Sequence, residues 1–407
     1  FLKKYAILST DQHGFQESRS TTTAILSLSE VVNDALNRNF VAVGVFLDIK
    51  KAFDTVDHDI LSKKLERLGF RGLALQFLRS YLSDRSQRVQ IDDNVSDLLT
   101  VSMGIPQGSV LGPILFSLYV NDLSVYAEKS HVIMYADDTA MVVTAKSIED
   151  VIAVLDKELQ CIKTWFQSNR LSLNTEKTKY ITFKSPNKSA CMSPCSLHIG
   201  ADELQQVDAI TYLGVIVDKD FNWHQHIDAL CKKLSYSCYT LAKASKYFQT
   251  NTLKTLYFSL FQSQLTYCIE AWGLTYPSYI EPVVRLQKRA LRMINFVAPR
   301  TPSLPLFKQN NIMPLTNLRN YRLAIFVKNV ICNPSTFPLV SYKAPPSSSR
   351  SAAHGKFLLP ISNNHYGHRC LRFSGVKIWN AIPCSVISSP NTFRALKNFF
   401  LQTEASQ

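Results

Sequence analysis

Two adjacent aspartates, Asp137 and Asp138, stand between two short apolar runs and constrain the fold more than any other feature of the sequence. The runs at 132–134 and 140–143 are rich in β-formers, so the segment is predicted to form a strand, a tight turn and a second strand. Two like charges at a partly buried hairpin tip repel each other. A bound divalent cation would offset that repulsion, which makes the stretch a candidate metal site. From these residues alone, a solvent-exposed Asp-Asp turn explains the pattern equally well.

The charge balance narrows the class of partner. The 407 residues carry 45 Lys and Arg against 31 Asp and Glu, a formal net charge of +14. This excess favours a polyanionic partner, nucleic acid first and an acidic membrane second. No apolar run approaches the roughly 18 residues of a membrane span, and no secretory signal is present. We therefore expect an intracellular protein without a membrane partner, and the first residue, Phe1 rather than Met, predicts truncation at the N-terminus.

The nine cysteines are scattered and odd in number. Cys191, Cys195 and His198 lie close together in sequence but lack a fourth zinc ligand at normal spacing. Reduced thiols of a cytosolic or nuclear protein are the better interpretation.

A third carboxylate ends a predicted buried strand. The run 41–47 is almost continuously apolar, as is typical of a strand buried on both faces, and Asp48 follows it directly. If neighbouring strands of one sheet bring Asp48 to Asp137 and Asp138, the three carboxylates suit two Mg²⁺ ions. Two such ions stabilise the attacking and leaving oxygens of a phosphoryl displacement. The carboxylates and the basic charge together indicate a polymerase or a nuclease.

Helices are predicted on both sides of this region. A Ser/Thr run opens a helix near residue 21 with Arg19 at its start, where a phosphate contact and a plain surface role are both open. Further helices are predicted at 226–248, 250–270 and 279–297. The last has a basic face that is either a phosphate-backbone surface or a solvated face, with equal weight. Its residues are Arg285, Lys288, Arg289 and Arg292.

Four motifs in order resemble those of reverse transcriptases. They are Phe46-Leu47-Asp48-Ile49-Lys50-Lys51-Ala52-Phe53-Asp54, Gly104-Ile105-Pro106-Gln107-Gly108-Ser109, Tyr135-Ala136-Asp137-Asp138, and Leu173-Asn174 with Lys177-Thr178. The chain is similar to the polymerases of non-LTR (LINE-type) retrotransposons, in particular the jockey clade. The resemblance is strong over about residues 12–300 and looser beyond.

The resemblance implies a set of site residues. Asp48, Asp137 and Asp138, with the backbone of Ile49, would hold two Mg²⁺ ions, for which Mn²⁺ is a possible substitute. Lys177 would approach the incoming triphosphate as general acid to the pyrophosphate.

The resemblance also assigns the surroundings of the nucleotide. Phe53 would be the steric gate against a ribose 2′-OH, and Gln107 with Gly108 would line the dNTP pocket. Residues 212–214 would form the primer grip, and Arg19 would touch the template.

The implied fold class is α+β, a right-hand polymerase with an antiparallel-sheet palm, partial fingers, a helical thumb and a mostly helical C-terminal extension. The expected parts are fingers at 1–40, palm at 41–185 with an inserted fingers segment at about 57–102, palm end and primer grip at 186–224, thumb at 225–300, and an extension at 301–407 with a linker near 333–353.

The implied activity is RNA-directed DNA polymerisation, with template RNA, primer DNA and dNTPs as partners. The expected location is the nucleus, with a cytoplasmic RNA–protein stage. A catalytically inactive nucleic-acid-binding remnant is the alternative, because fingers motifs expected upstream of Gln12 are absent from the sequence. An RNA-dependent RNA polymerase and a metal nuclease are weaker alternatives, since Phe53 predicts deoxynucleotide selection and no motif marks a water-activating base.

Overall fold

A computed structural model describes residues 1–185, 196–346 and 355–403. Two of the three residues considered above as zinc ligands, Cys191 and Cys195, lie outside the described residues. Residues 347–353 of the expected linker also lie outside them. The described chain forms two compact units. The first contains 1–24, 41–182 and 196–207, and the second contains 25–40, 183–185, 208–346 and 355–403.

Helices and strands alternate through the first half of the chain. In order they are α1 (Thr21–Asn37), β1 (Val41–Leu47), α2 (His58–Arg67), α3 (Gly72–Leu82), β2 (Ser86–Gln87), β3 (Gln90–Ile91), β4 (Asn94–Val95), β5 (Leu99–Thr100), α4 (Gly112–Tyr119), β6 (His131–Tyr135), β7 (Asp138–Ala145), α5 (Ile148–Ser168), β8 (Lys179–Phe183), β9 (His198–Ile199), β10 (Asp202–Glu203), β11 (Gln205–Gln206), β12 (Ala209–Tyr212) and β13 (Val215–Asp218).

The remainder is helical. Its helices are α6 (His224–Ala244), α7 (Thr250–Leu256), α8 (Ser263–Thr266), α9 (Ile269–Trp272), α10 (Pro277–Ile294), α11 (Ser303–Asn310), α12 (Leu315–Cys332), α13 (His365–Arg369), α14 (Leu371–Ala381), α15 (Cys384–Ile387) and α16 (Thr392–Gln402). The main strands β1, β7 and β6 pair antiparallel and the second half of the chain is helical, so the chain is α+β.

A five-stranded sheet in the order β11-β8-β1-β7-β6 forms the centre of the first unit. Every residue of β1 is buried, as the continuous apolar run predicts. β1 and β6 both pair antiparallel with β7. The predicted hairpin is therefore confirmed, and its strands are fixed by packing on both faces.

The helix predicted at 250–270 is wrong as a single element. α7 leads into a π-helical segment, Tyr257–Gln262, and α8 ends before Cys268, whose φ of 51° interrupts the helix. The apolar pattern could not show this break, because Tyr257, Phe261 and Cys268 are all buried and keep a helical spacing. In the described part of the expected linker, Phe337 and Val340 are buried as well.

In the second unit, α1 is bonded to the C-terminal helices. The Glu30 carboxylate is buried and accepts a hydrogen bond of 2.6 Å from the backbone N–H of Leu371. Arg372 lies 3.9 Å from the other carboxylate oxygen and also pairs with Asp34. Burial raises the pKa of Glu30 to about 7, and the Leu371 N–H and Arg372 oppose that rise only in part.

Replacing Glu30 with Gln should stabilise the protein at alkaline pH. The folded-state pKa of Glu30 lies above the ordinary value of 4.5. Ionisation of Glu30 therefore lowers the free energy of unfolding progressively as pH rises from 4.5 through 7. The variant should be more stable at pH 8.5 by about 3 kcal/mol and equally stable at pH 4. Urea unfolding at both pH values measures this. Glu281→Gln, which removes an exposed carboxylate paired with Arg285, is the control, and equal pH profiles for both variants would contradict the assignment.

Among the described residues, no helix has the length and apolar composition needed to cross a bilayer.

Candidate active site

The three predicted carboxylates lie at one end of the central sheet. The register of β1 with β7 pairs Leu47 with Thr139, so Asp48, which follows β1, and Asp138, the first residue of β7, lie at the same end of the sheet. Asp137 precedes Asp138 in the hairpin turn. The fold thus brings together carboxylates that are about ninety residues apart in sequence.

The charges of these carboxylates are coupled. Asp138 is partly exposed, yet partial burial together with the neighbouring Asp137 and Asp48 raises its pKa to about 6. In the part of the chain that the structure describes, no three acidic, His or Cys side chains form a preformed metal cage. Mg²⁺ does not require one, since it keeps waters and is usually bound through one or two carboxylates and substrate phosphates. The all-oxygen, mutually repelling donor set fits Mg²⁺.

The turn between the two strands is strained. Tyr135 pairs with Asp138, so Ala136 and Asp137 form a two-residue loop. Ala136 has a φ of 56°, a left-handed conformation that costs a non-glycine residue roughly 1–2 kcal/mol. Such strain persists only where the surroundings hold it, and it is common at functional sites.

Lys177 lies on a loop that is bonded to the end of β1. Asn174 donates its backbone N–H to Asp48 O at 2.8 Å, and Asp48 N lies 3.3 Å from the Thr178 hydroxyl. Ile49 is buried and bridges Leu173. The Lys177 side chain is exposed. The fourth sequence motif is therefore fixed beside Asp48.

The Gly-rich loop packs on the segment after β1. Ile105 N donates to Phe53 O at 2.8 Å, and a Cβ on Gly104 would lie 2.8 Å from Asp54 O, so only glycine fits there. Gln107 and Gly108 are exposed, and Gln107 Nε2 donates to Asp54 Oδ1 at 2.9 Å. Sequence reasoning missed this role of Asp54, although the residue belongs to the first motif.

Phe53 has a defined orientation. Its ring stacks on Phe116 with centroids 4.5 Å apart and an interplanar angle of 26°. Phe116 is completely buried, whereas Phe53 is half-buried. One face of the Phe53 ring is therefore held by the core of the first unit.

The predicted primer grip is a hairpin of the second unit. β12 and β13 are joined by Leu213 and Gly214, which both have positive φ values, as type I′ turns require. Tyr212 is buried, and Tyr267 Oη donates to Leu213 O at 2.6 Å.

The predicted basic face on α10 is partly engaged in other contacts. Arg289 is exposed, but Arg285 pairs with Glu281 and Arg292 donates to Thr301 O. Sequence reasoning missed an exposed basic and aromatic face on α6, although its residues recur at helical spacing. They are Lys232, Tyr236, Tyr239 and Lys243, and Lys243 Nζ lies 4.8 Å from the Tyr239 ring centroid.

Arg19 lies near the start of α1, and its guanidinium donates to the carbonyls of Thr10 and Gln12. The predicted template contact of Arg19 stays a prediction.

Comparison with known proteins agrees with this geometry. Residues 1–217 match the family described as reverse transcriptase (RNA-dependent DNA polymerase). The RNA-directed DNA polymerase from mobile element jockey of Drosophila melanogaster is 28% identical over 295 residues, which are 70% of this chain and 32% of that one. The probable RNA-directed DNA polymerase from transposon BS of the same species is 29% identical over 302 residues, 71% of this chain and 33% of that one.

The chain thus spans about a third of the length of these relatives. Among solved structures, apo telomerase from Candida tropicalis aligns with a TM-score of 0.42 at 11% identity, covering 98% of this chain and 59% of that one. The family match extends over more than half of the 407 residues and includes every predicted carboxylate. The chain belongs to the reverse transcriptase (RNA-dependent DNA polymerase) family.

Proposed function

We propose that this chain catalyses RNA-directed DNA polymerisation for a non-LTR retrotransposon. The observation that carries the proposal is the convergence of Asp48, Asp137 and Asp138 at one end of the β1–β7–β6 sheet. Reverse transcriptases use divalent metal ions. Here the three carboxylates would hold two Mg²⁺ ions, or Mn²⁺ in their place, and the ions would stabilise charge on the attacking and leaving oxygens.

The chain's own residues would position the nucleotide. The ring of Phe53, supported by Phe116, would exclude a 2′-OH, and Gln107 with Gly108 would line the pocket of the incoming dNTP. Lys177 is exposed on the loop beside Asp48 and would donate a proton to the departing pyrophosphate. Positioning and electrostatics supply most of the catalysis in phosphoryl transfer.

Template RNA and primer DNA would contact basic surfaces of the second unit. The exposed face of α6 offers Tyr236 and Tyr239 for stacking, and Lys232 and Lys243 for phosphates. Such surfaces hold nucleic acid without reading its sequence. We further propose action in the nucleus after a cytoplasmic stage bound to RNA.

Primer extension tests the proposal. The 407-residue chain, supplied with poly(rA)/oligo(dT), dTTP and Mg²⁺, should extend the primer, and EDTA should stop the reaction because the metal ions would be removed. Gel-shift binding of the same duplex is measured in parallel. Binding without extension would instead identify the chain as a non-catalytic nucleic-acid-binding remnant.

A further inference from the structure

The segment around Gln12 forms an additional edge of the central sheet. Met134 N donates to Asp11 O at 2.8 Å, and His13 N donates to Met134 O at 2.6 Å, so residues 11–13 pair in parallel with β6. Among the sheet's named strands, β6 is the last, and an open edge strand presents unpaired backbone groups. The segment therefore belongs structurally with the aspartate hairpin, meaning β6, Ala136, Asp137 and β7.

The side chain of Gln12 joins this segment to the turn itself. Gln12 is completely buried, and its Oε1 accepts hydrogen bonds from Gly14 N at 2.8 Å and Ala136 N at 3.2 Å. Its Nε2 is buried without a hydrogen-bond partner in the described chain. The side-chain amide of Gln12 therefore acts as an acceptor. Its hydrogen bond from Ala136 N joins residues that are 124 positions apart in sequence.

Gly14 permits this close approach. A Cβ at position 14 would lie 2.5 Å from Ala136 N, a separation that only glycine avoids. The backbone of Gly14 and the Oε1 atom of Gln12 thus both lie directly against Ala136, the strained residue of the turn.

We propose that Gln12 is a positioning residue that holds Ala136 in its left-handed conformation and thereby fixes the directions of Asp137 and Asp138. A φ of 56° at alanine needs support from its surroundings, and Gln12 supplies a hydrogen bond to the N–H of that residue. Rotation at Ala136 would displace both carboxylates that follow it. The catalytic consequence rests on the proposed function, whereas the restraint on the turn does not.

Hydrogen exchange of the unmodified chain gives a first test that needs no activity. The N–H groups of Gly14 and Ala136 should exchange at least about tenfold more slowly than in an unstructured peptide, because both donate to a buried acceptor. Exchange at the unstructured rate for Ala136 would overturn the proposal.

Gln12→Met removes the acceptor and keeps the side-chain length. It should speed exchange at Ala136 about tenfold or more, and it should raise the Mg²⁺ concentration for half-maximal extension. The matched control is Gln287→Met, which deletes another completely buried amide, bonded to Leu315 N and Met313 O. The two variants are compared by amide hydrogen exchange in the aspartate hairpin and by the Mg²⁺ concentration for half-maximal extension (the Mg²⁺ midpoint). Equal effects on both quantities would show that Gln12 has only a general structural role.

Coupling to Ala136 gives a second readout. Glycine adopts positive φ without cost, so the shift in Mg²⁺ midpoint caused by Gln12→Met should be smaller in an Ala136→Gly background. An undiminished shift would contradict the link between Gln12 and the turn conformation. If the unmodified chain extends no primer, the proposed function fails, while the exchange experiments still decide the role of Gln12.

Discussion

Replacing Asp137 or Asp138 with Asn is expected to reduce primer extension by roughly 10³-fold or more, which corresponds to about 4 kcal/mol of transition-state stabilisation. Asn keeps the shape of the side chain but removes the negative charge that the metal ions need. The measurement is single-turnover extension on poly(rA)/oligo(dT) with saturating dTTP and Mg²⁺. Asp156→Asn, an exposed position on α5, is the matched control and should retain full activity.

The same substitution at Asp138 should not destabilise the fold. Burial, together with the neighbouring Asp137 and Asp48, raises the pKa of Asp138 from 3.8 to about 6 in the folded protein. The cost of ionising this carboxylate is therefore absent below about pH 4 and fully present above pH 6. In metal-free buffer at pH 7.5, Asp138→Asn should therefore leave Tm unchanged or raise it. Loss of activity accompanied by a fall in Tm would indicate unfolding and would contradict a purely catalytic role.

Phe53→Ala is expected to relax sugar selection. The Phe53 ring stacks on Phe116 with centroids 4.5 Å apart. This contact restricts rotation of the Phe53 side chain away from a 2′-OH. Removing the ring should lower the ratio of kcat/KM for dTTP over UTP at least about tenfold, or 1.4 kcal/mol. Phe77→Ala on α3, where the ring is 62% exposed, controls for loss of an aromatic side chain. An unchanged ratio would mean that Phe53 does not select the sugar.

Local patterns predicted the elements of the site well. The continuous apolar run predicted β1, and the two short runs around Asp137 and Asp138 predicted the hairpin. The order of motifs predicted the family, which the family match confirms, and the α+β class agrees with the structure. These successes share a cause. The strand, the hairpin and each motif depend on consecutive residues whose periodicity or spacing can be recognised in the sequence.

Contacts between distant segments were not predictable in the same way. The bond from Gln107 to Asp54, the acceptor that Gln12 offers to Ala136, and the pairing of Glu30 with Leu371 join residues far apart in the chain. A single buried amide or carboxylate has no periodic signature, and its partner is often a backbone N–H that any residue could supply. The roles of Lys177, Gln107 and Gly108 remain predictions, since their positions near Asp48 and Phe53 are compatible with those roles but do not test them.

The bond between Glu30 and Leu371 also has a consequence for biosynthesis. The two residues are 341 positions apart, so at 5–20 residues per second a ribosome needs about 20 to 70 s to make the second after the first. During that interval α1 has emerged without its C-terminal partner, and its apolar surface is available to chaperones or to aggregation. Folding of the second unit is therefore completed only after residue 371 has been synthesised, and a nascent chain released before that point would lack the amide that Glu30 needs.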